Sequence, residues 1–122
     1  MALSVTVVTA TGGGLYGQPA QIAQKGGQGW LRCRVATITG DTAYPSGAAG
    51  GYPVTLSTFQ LFNQILGITL MASSGTQVAV PEYDYGASVI RYYNPAAAAT
   101  ATEVASGTNL SAVSHRILVW GI

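Results

Sequence analysis

His115 and Cys33 are the only histidine and the only cysteine among 122 residues. A thiol beside an imidazole is the minimum for nucleophile–base chemistry. Both fall at inward positions of predicted strands, which favours a buried small residue and a satisfied interior or interface histidine over a catalytic pair. Glu82 and Asp84 alternate on one strand face and could serve as paired carboxylates or as Ca²⁺ ligands. They lack the dense Asp/Asn/Gly pattern of a calcium loop, so pairing with arginines across a sheet or subunit boundary is the expected role. Gly12-Gly13-Gly14 precedes neither a Lys-Ser/Thr pair nor a helical pattern, and so is not a phosphate cradle. A lone cysteine excludes an intrachain disulfide and a paired-cysteine metal site. No catalytic residue, metal ligand or cofactor is expected, and the chain is read as a non-enzyme.

Five basic and four acidic residues leave a net charge of +1. Phosphate binding needs cations clustered on one face, and only Arg32 and Arg34 share one. Nucleic acid is therefore not an expected partner. Seven tyrosines are spread over loops and one hairpin, a distribution that suits interface packing better than a single pocket.

Charged residues make up 7% of the chain, hydrophobic residues 48%, and mean hydropathy is +0.33. A soluble monomer carries roughly a quarter of its residues as charges. No apolar run approaches the ~20 residues that span a bilayer, so no membrane partner is expected. Other protein is the natural cover for such a surface. The N-terminal residues lack a positive n-region and a continuous apolar core, so export by the standard route is not expected.

The elements that position these groups follow a period of two. Ser4–Val7 opens as a strand, and Trp30–Thr39 alternates Leu31, Cys33, Val35 and Thr37 against Arg32, Arg34, Ala36 and Ile38. Gly67–Met71 and Gln77–Val80 flank a Ser73-Ser74-Gly75 turn. In the closing strand Val113, His115, Ile117 and Val119 share one face, with Ser114, Arg116, Leu118 and Trp120 opposite. Phe59, Phe62 and Leu66 break this period and predict one short helix between Thr55 and Leu66, ended by Gly67 and plugging an end of a sandwich. Residues 11–29 and 43–53 read as long Gly-rich loops, and 95–102 as a small-residue loop. The expected fold is a single all-β domain over 1–122: an antiparallel β-sandwich with one short helix.

Three blocks carry a resemblance. Ile38 to Ala48 ends a strand in an Asp41-Thr42-Ala43-Tyr44-Pro45 turn. Glu82-Tyr83-Asp84-Tyr85 and Val89-Ile90-Arg91-Tyr92-Tyr93 form a hairpin pattern, and Glu103 to Val113 leads into a strand ending Val119-Trp120-Gly121. In this order they resemble the small capsid cement, or decoration, proteins of tailed bacteriophages, encoded near the major capsid protein. The resemblance covers about residues 35–122 and leaves 9–30 without a counterpart.

What the resemblance implies is a jelly-roll-like sandwich, forming a homotrimer, bound to the major capsid protein at junctions between capsomers on the outer surface of an icosahedral head. The protein would be made in the host bacterial cytoplasm and end up in the virion, where it would stabilise the expanded shell. The alternative is a virion-attached, head-fibre-like module that binds glycans or the host surface through its tyrosines. Subunit or capsid contacts are expected at Tyr16, Tyr44, Tyr52, Arg91, Tyr93, Leu118, Trp120 and Ile122. The Gly12–Gly29 stretch and the Tyr44–Pro53 loop are expected as arms, and loss of Leu118–Ile122 is expected to give monomers or aggregates.

Overall fold

A computed structural model describes residues 3–7, 20–24, 30–47, 50–61, 63–75, 79–95 and 101–122. They form two antiparallel sheets, built from strands β1 (Ser4–Val7), β2 (Ala20–Gln24), β3 (Trp30–Thr39), β4 (Tyr52–Pro53), β5 (Ile65–Ser74), β6 (Val80–Asp84), β7 (Val89–Asn94), β8 (Thr102–Glu103) and β9 (Ser114–Gly121). The all-β antiparallel sandwich predicted from the alternation is the observed fold.

One sheet runs β1-β3-β9-β5, with β2 also pairing β3. Here β1 takes the Ala36–Thr39 end of β3 while β2 takes the Trp30–Cys33 end, so two short strands share one edge. The other sheet runs β4-β7-β6, and β8 joins β7 beyond β4 in the same manner. β9 is central: Arg32 to Thr39 pair with Gly121 to Ser114 on one side, and β5 pairs along the other.

The core lies between the sheets because each strand turns its alternate residues inward. His115, Ile117 and Val119 of β9 meet Ala36 and Ile38 of β3, with Tyr52, Ile90 and Tyr92 facing them from the second sheet. Burying each large aliphatic side chain contributes about 1.5–3 kcal/mol. For β3 the inward face is the one with Ala36 and Ile38. Cys33, expected inside, lies instead on the outer face with Val35 and Thr37 and is half-exposed. Both faces of that strand mix apolar and polar groups, so its pattern alone does not select a side.

Other elements differ from expectation, among them β4, which forms inside the stretch read as a loop over 43–53. The short helix is a 3-10 turn over Leu56–Phe59, not a helix reaching Leu66. Hydroxyls of Thr55, Ser57 and Thr58 bond one another there, and Gln60 takes a left-handed conformation (φ 56°) that ends the turn. Its plugging role does match, since Phe59 and Leu61 are buried in the core. Ile65 then begins β5 opposite Gly121, and Leu66 is 45% exposed: pairing with β9 overrides the local helical spacing. Phe62 lies outside the described residues. Within the Gly-rich 11–29 stretch, the glycine-free Ala20–Gln24 forms β2, correcting its reading as a continuous loop.

Candidate functional site

Tyr44 and Tyr52 were expected at a partner surface. Both are fully buried inside this chain, where their rings meet edge-to-face at 5.5 Å and each packs against Tyr92 at 5.9 and 6.0 Å. A buried phenol needs a partner for its hydroxyl. Tyr44 Oη donates to Glu103 Oε1 at 2.8 Å and accepts from the Tyr92 N–H at 3.0 Å. Tyr52 Oη donates to Asp41 Oδ1 at 2.9 Å and accepts from the Asp41 N–H at 3.0 Å. Burial pushes the Tyr52 phenol up to about 12 and raises those of Tyr44 and Tyr92 further. Residues 43–47 and 50–53 are thus pinned to the core through Tyr44 and Tyr52. This corrects their assignment as contact residues, because rings so placed present no surface to a partner.

Arg91 is 9% exposed and is held within the chain. Its Nε donates to Asp84 at 3.1 Å, and its Nη1 donates to the Gly47 carbonyl at 2.7 Å and to Glu103 at 3.3 Å. The expected pairing of Asp84 with an arginine is present. Arg91, expected at a partner contact, spends its guanidinium bonds within the chain, where it ties β7 to the end of β6, to β8 and to Gly47. Among the described residues, no three His, Cys, Asp or Glu side chains are grouped to hold a metal ion.

Cys33 and His115 do not meet. Cys33 pairs with Trp120, five residues along β9 from His115, which separates them by about 17 Å. The partner of His115 is Ser73 of β5, with Oγ 2.8 Å from Nδ1, a contact no spacing in the chain announces. The imidazole is 1% exposed, lies against the Tyr92 ring at 5.5 Å, and has its pKa lowered by burial. Arg34 faces the inner side of β3 at the sandwich end and donates to the Gln60 carbonyl at 3.3 Å.

Leu118 and Trp120 lie on the outer face of the five-stranded sheet, half-exposed, opposite Val35 and Cys33 of β3 and Thr69 and Gly67 of β5. The indole lies over Gly67, where an added Cβ would come within 2.5 Å of the ring, so this glycine is what lets Trp120 lie flat. Ile122 is clamped within the chain: its N–H donates to Gln64 O, and its carbonyl accepts from the N–H groups of Asn63 and Gln64. Tyr93 is half-buried on the outer face of the second sheet. Tyr16 lies outside the described residues, as does most of the arm expected over 12–29.

No family model, no curated protein and no solved structure matches this chain. Its chemistry therefore rests on its own geometry.

One feature at the end of the sandwich has no single counterpart in the sequence pattern. A cleft of about 660 Å³ opens between the 3-10 turn, the start of β5 and the β6–β7 turn. Val54, Leu56 and Ile65 line its apolar part, while Asn63, Gln64, Tyr83 and Tyr85 bring polar and aromatic groups. The signal available beforehand was the Tyr83-Asp84-Tyr85-Gly86 turn, where two aromatics flank a turn-forming aspartate.

Proposed function

We propose that this chain is a structural subunit covered by other protein, and specifically a cement or decoration protein on the outer surface of a tailed-phage head. The observation that carries the assembly reading is the outer face of the five-stranded sheet. Cys33, Val35, Leu118 and Trp120 form an apolar patch there, and Arg116 is the only charged side chain on the described part of that face. A contiguous apolar surface of this kind marks a contact with protein. Beside it, β5 is a ten-residue edge strand with no charge and no proline, and Leu66 and Met71 on it are 45% and 54% exposed. Free proteins protect such an edge with charges or prolines, whereas an assembled one has it covered.

The resemblance supplies the narrower reading, and its central block forms a β6–β7 hairpin here. A cement protein stabilises the expanded shell by mass action, since it binds the assembled state and not the free subunits. Purified protein added to expanded heads of the phage that encodes it should co-sediment with them and raise their disruption temperature. Leu118→Glu should abolish both effects while the protein stays folded. Wild-type protein that neither sediments with the heads nor protects them overturns the capsid reading.

A further inference from the structure

We propose that the cleft at the end of the sandwich is a binding site for a neutral saccharide. The proposal stands apart from the capsid reading, because the cleft lies at a different part of the molecule from the outer face of β9.

The lining defines the ligand class. Among the described residues no charged side chain borders the cleft, so they supply no cation for a phosphate, sulfate or sialic acid and no carboxylate for an amine. It offers instead the amides of Asn63 and Gln64 and the hydroxyl of Ser88, able to donate and accept, beside the Thr55 and Ser57 hydroxyls, which bond each other at 2.9 Å and keep lone pairs free to accept. Sugar hydroxyls need such two-way partners. Tyr85, 84% exposed, supplies a flat aromatic rim, and Tyr83 is half-buried beside it. An aromatic face complements the C–H face of a pyranose, and a cleft of about 660 Å³ lies within the range of small-molecule sites.

The walls are fixed before any ligand arrives. Asp84 Oδ1 accepts the N–H groups of Gly86 and Ala87 at 3.0 and 3.1 Å, closing the turn that presents Tyr85. The Ser88 carbonyl accepts from the Val54 N–H at 3.1 Å, and Ser88 holds a left-handed φ of 56°. The backbone of Asn63 and Gln64 is bonded to Ile122. Walls already ordered spare the ligand the entropy of ordering them.

The test is saturation-transfer NMR and calorimetry on the full chain with lactose, maltotriose, cellotriose and chitotriose, and with 3′-sialyllactose as the charged comparator. At least one neutral sugar should bind, and Tyr85→Ala should weaken it about tenfold or more. Tyr85→Phe should retain binding, as should Arg116→Ala on the opposite sheet. Tyr85 is exposed, so its loss should leave the thermal unfolding curve in place and isolate the binding effect. No response to any neutral sugar, binding unchanged in Tyr85→Ala, or binding confined to sialyllactose each overturns the proposal. None of these results bears on head binding, which the sedimentation experiment reads separately.

Discussion

The Tyr44 hydroxyl donates to Glu103 across 59 residues of chain, joining the 43–53 loop to the short edge strand β8. The same oxygen accepts the N–H of Tyr92, and Arg91 reaches the same carboxylate oxygen from the next position on β7. One phenol thus satisfies a loop, an edge strand and a central strand of the second sheet.

Tyr44→Phe keeps the ring and removes that oxygen. It leaves a buried N–H and a carboxylate oxygen each short of a partner, so a loss of about 1–3 kcal/mol is expected. Urea unfolding checks this through a lower midpoint at an unchanged slope. A midpoint equal to wild type would mean that water replaces the phenol and that the loop is not held through this oxygen.

Stability should fall in two steps on acidification. Burial lowers the His115 pKa, so the neutral imidazole is the form the fold favours. Its contribution is present above the unfolded value of about 6.5 and is lost as pH falls toward the lower folded value, because the unfolded chain binds the proton first. Asp84 is held below the usual carboxylate range by the Ala87 N–H and by Arg91. Its contribution is present above about 3.9 and is lost below that, as pH falls through the depressed folded value. The melting temperature should therefore decline from about pH 6.5, then more steeply below about pH 4. His115→Gln should flatten the first limb and Asp84→Asn the second. A wild-type profile level between pH 7 and 5 would contradict the imidazole assignment.

Removing Leu118–Ile122 should unfold the chain, not merely dissociate an oligomer. These residues pair with both β3 and β5 and carry the clamp on Asn63 and Gln64. Circular dichroism of the truncated protein should lose the strand signal, whereas Leu118→Glu, which alters only an outer side chain, should keep it. A truncated form with native strand content would show that β9 is dispensable to the fold.

The closing strand was legible from its residues alone. Val113, His115, Ile117 and Val119 alternate with polar or half-exposed neighbours, and a strand must send alternate side chains to opposite faces. The bounds of β1 and β3 were legible for the same local reason, as was the Glu82–Tyr93 hairpin. Which face of β3 points inward was not, because a strand with Arg34 and Ile38 on one side and Cys33 and Val35 on the other has no dominant apolar face. Nor was the end of the 3-10 turn, since Ile65 and Leu66 suit a helix locally and leave it only when β9 is there to pair with.

Alternation and composition alone specify an all-β sandwich, poor in charge, with Leu118 and Trp120 on one face of the last strand. The placement of the tyrosines depends on long-range contacts. Tyr44 and Tyr52 sit in a stretch rich in glycine and proline, where composition points to solvent or a partner. They are core residues because Glu103 and Asp41, distant in sequence or across a turn, accept their hydroxyls. Tyr85 is exposed because Asp84 turns the chain before it, and Asn63 and Gln64 line the same cleft because the end of β9 holds their backbone. A local pattern states which side chains can be buried together; which ones are depends on partners that only the closed fold supplies.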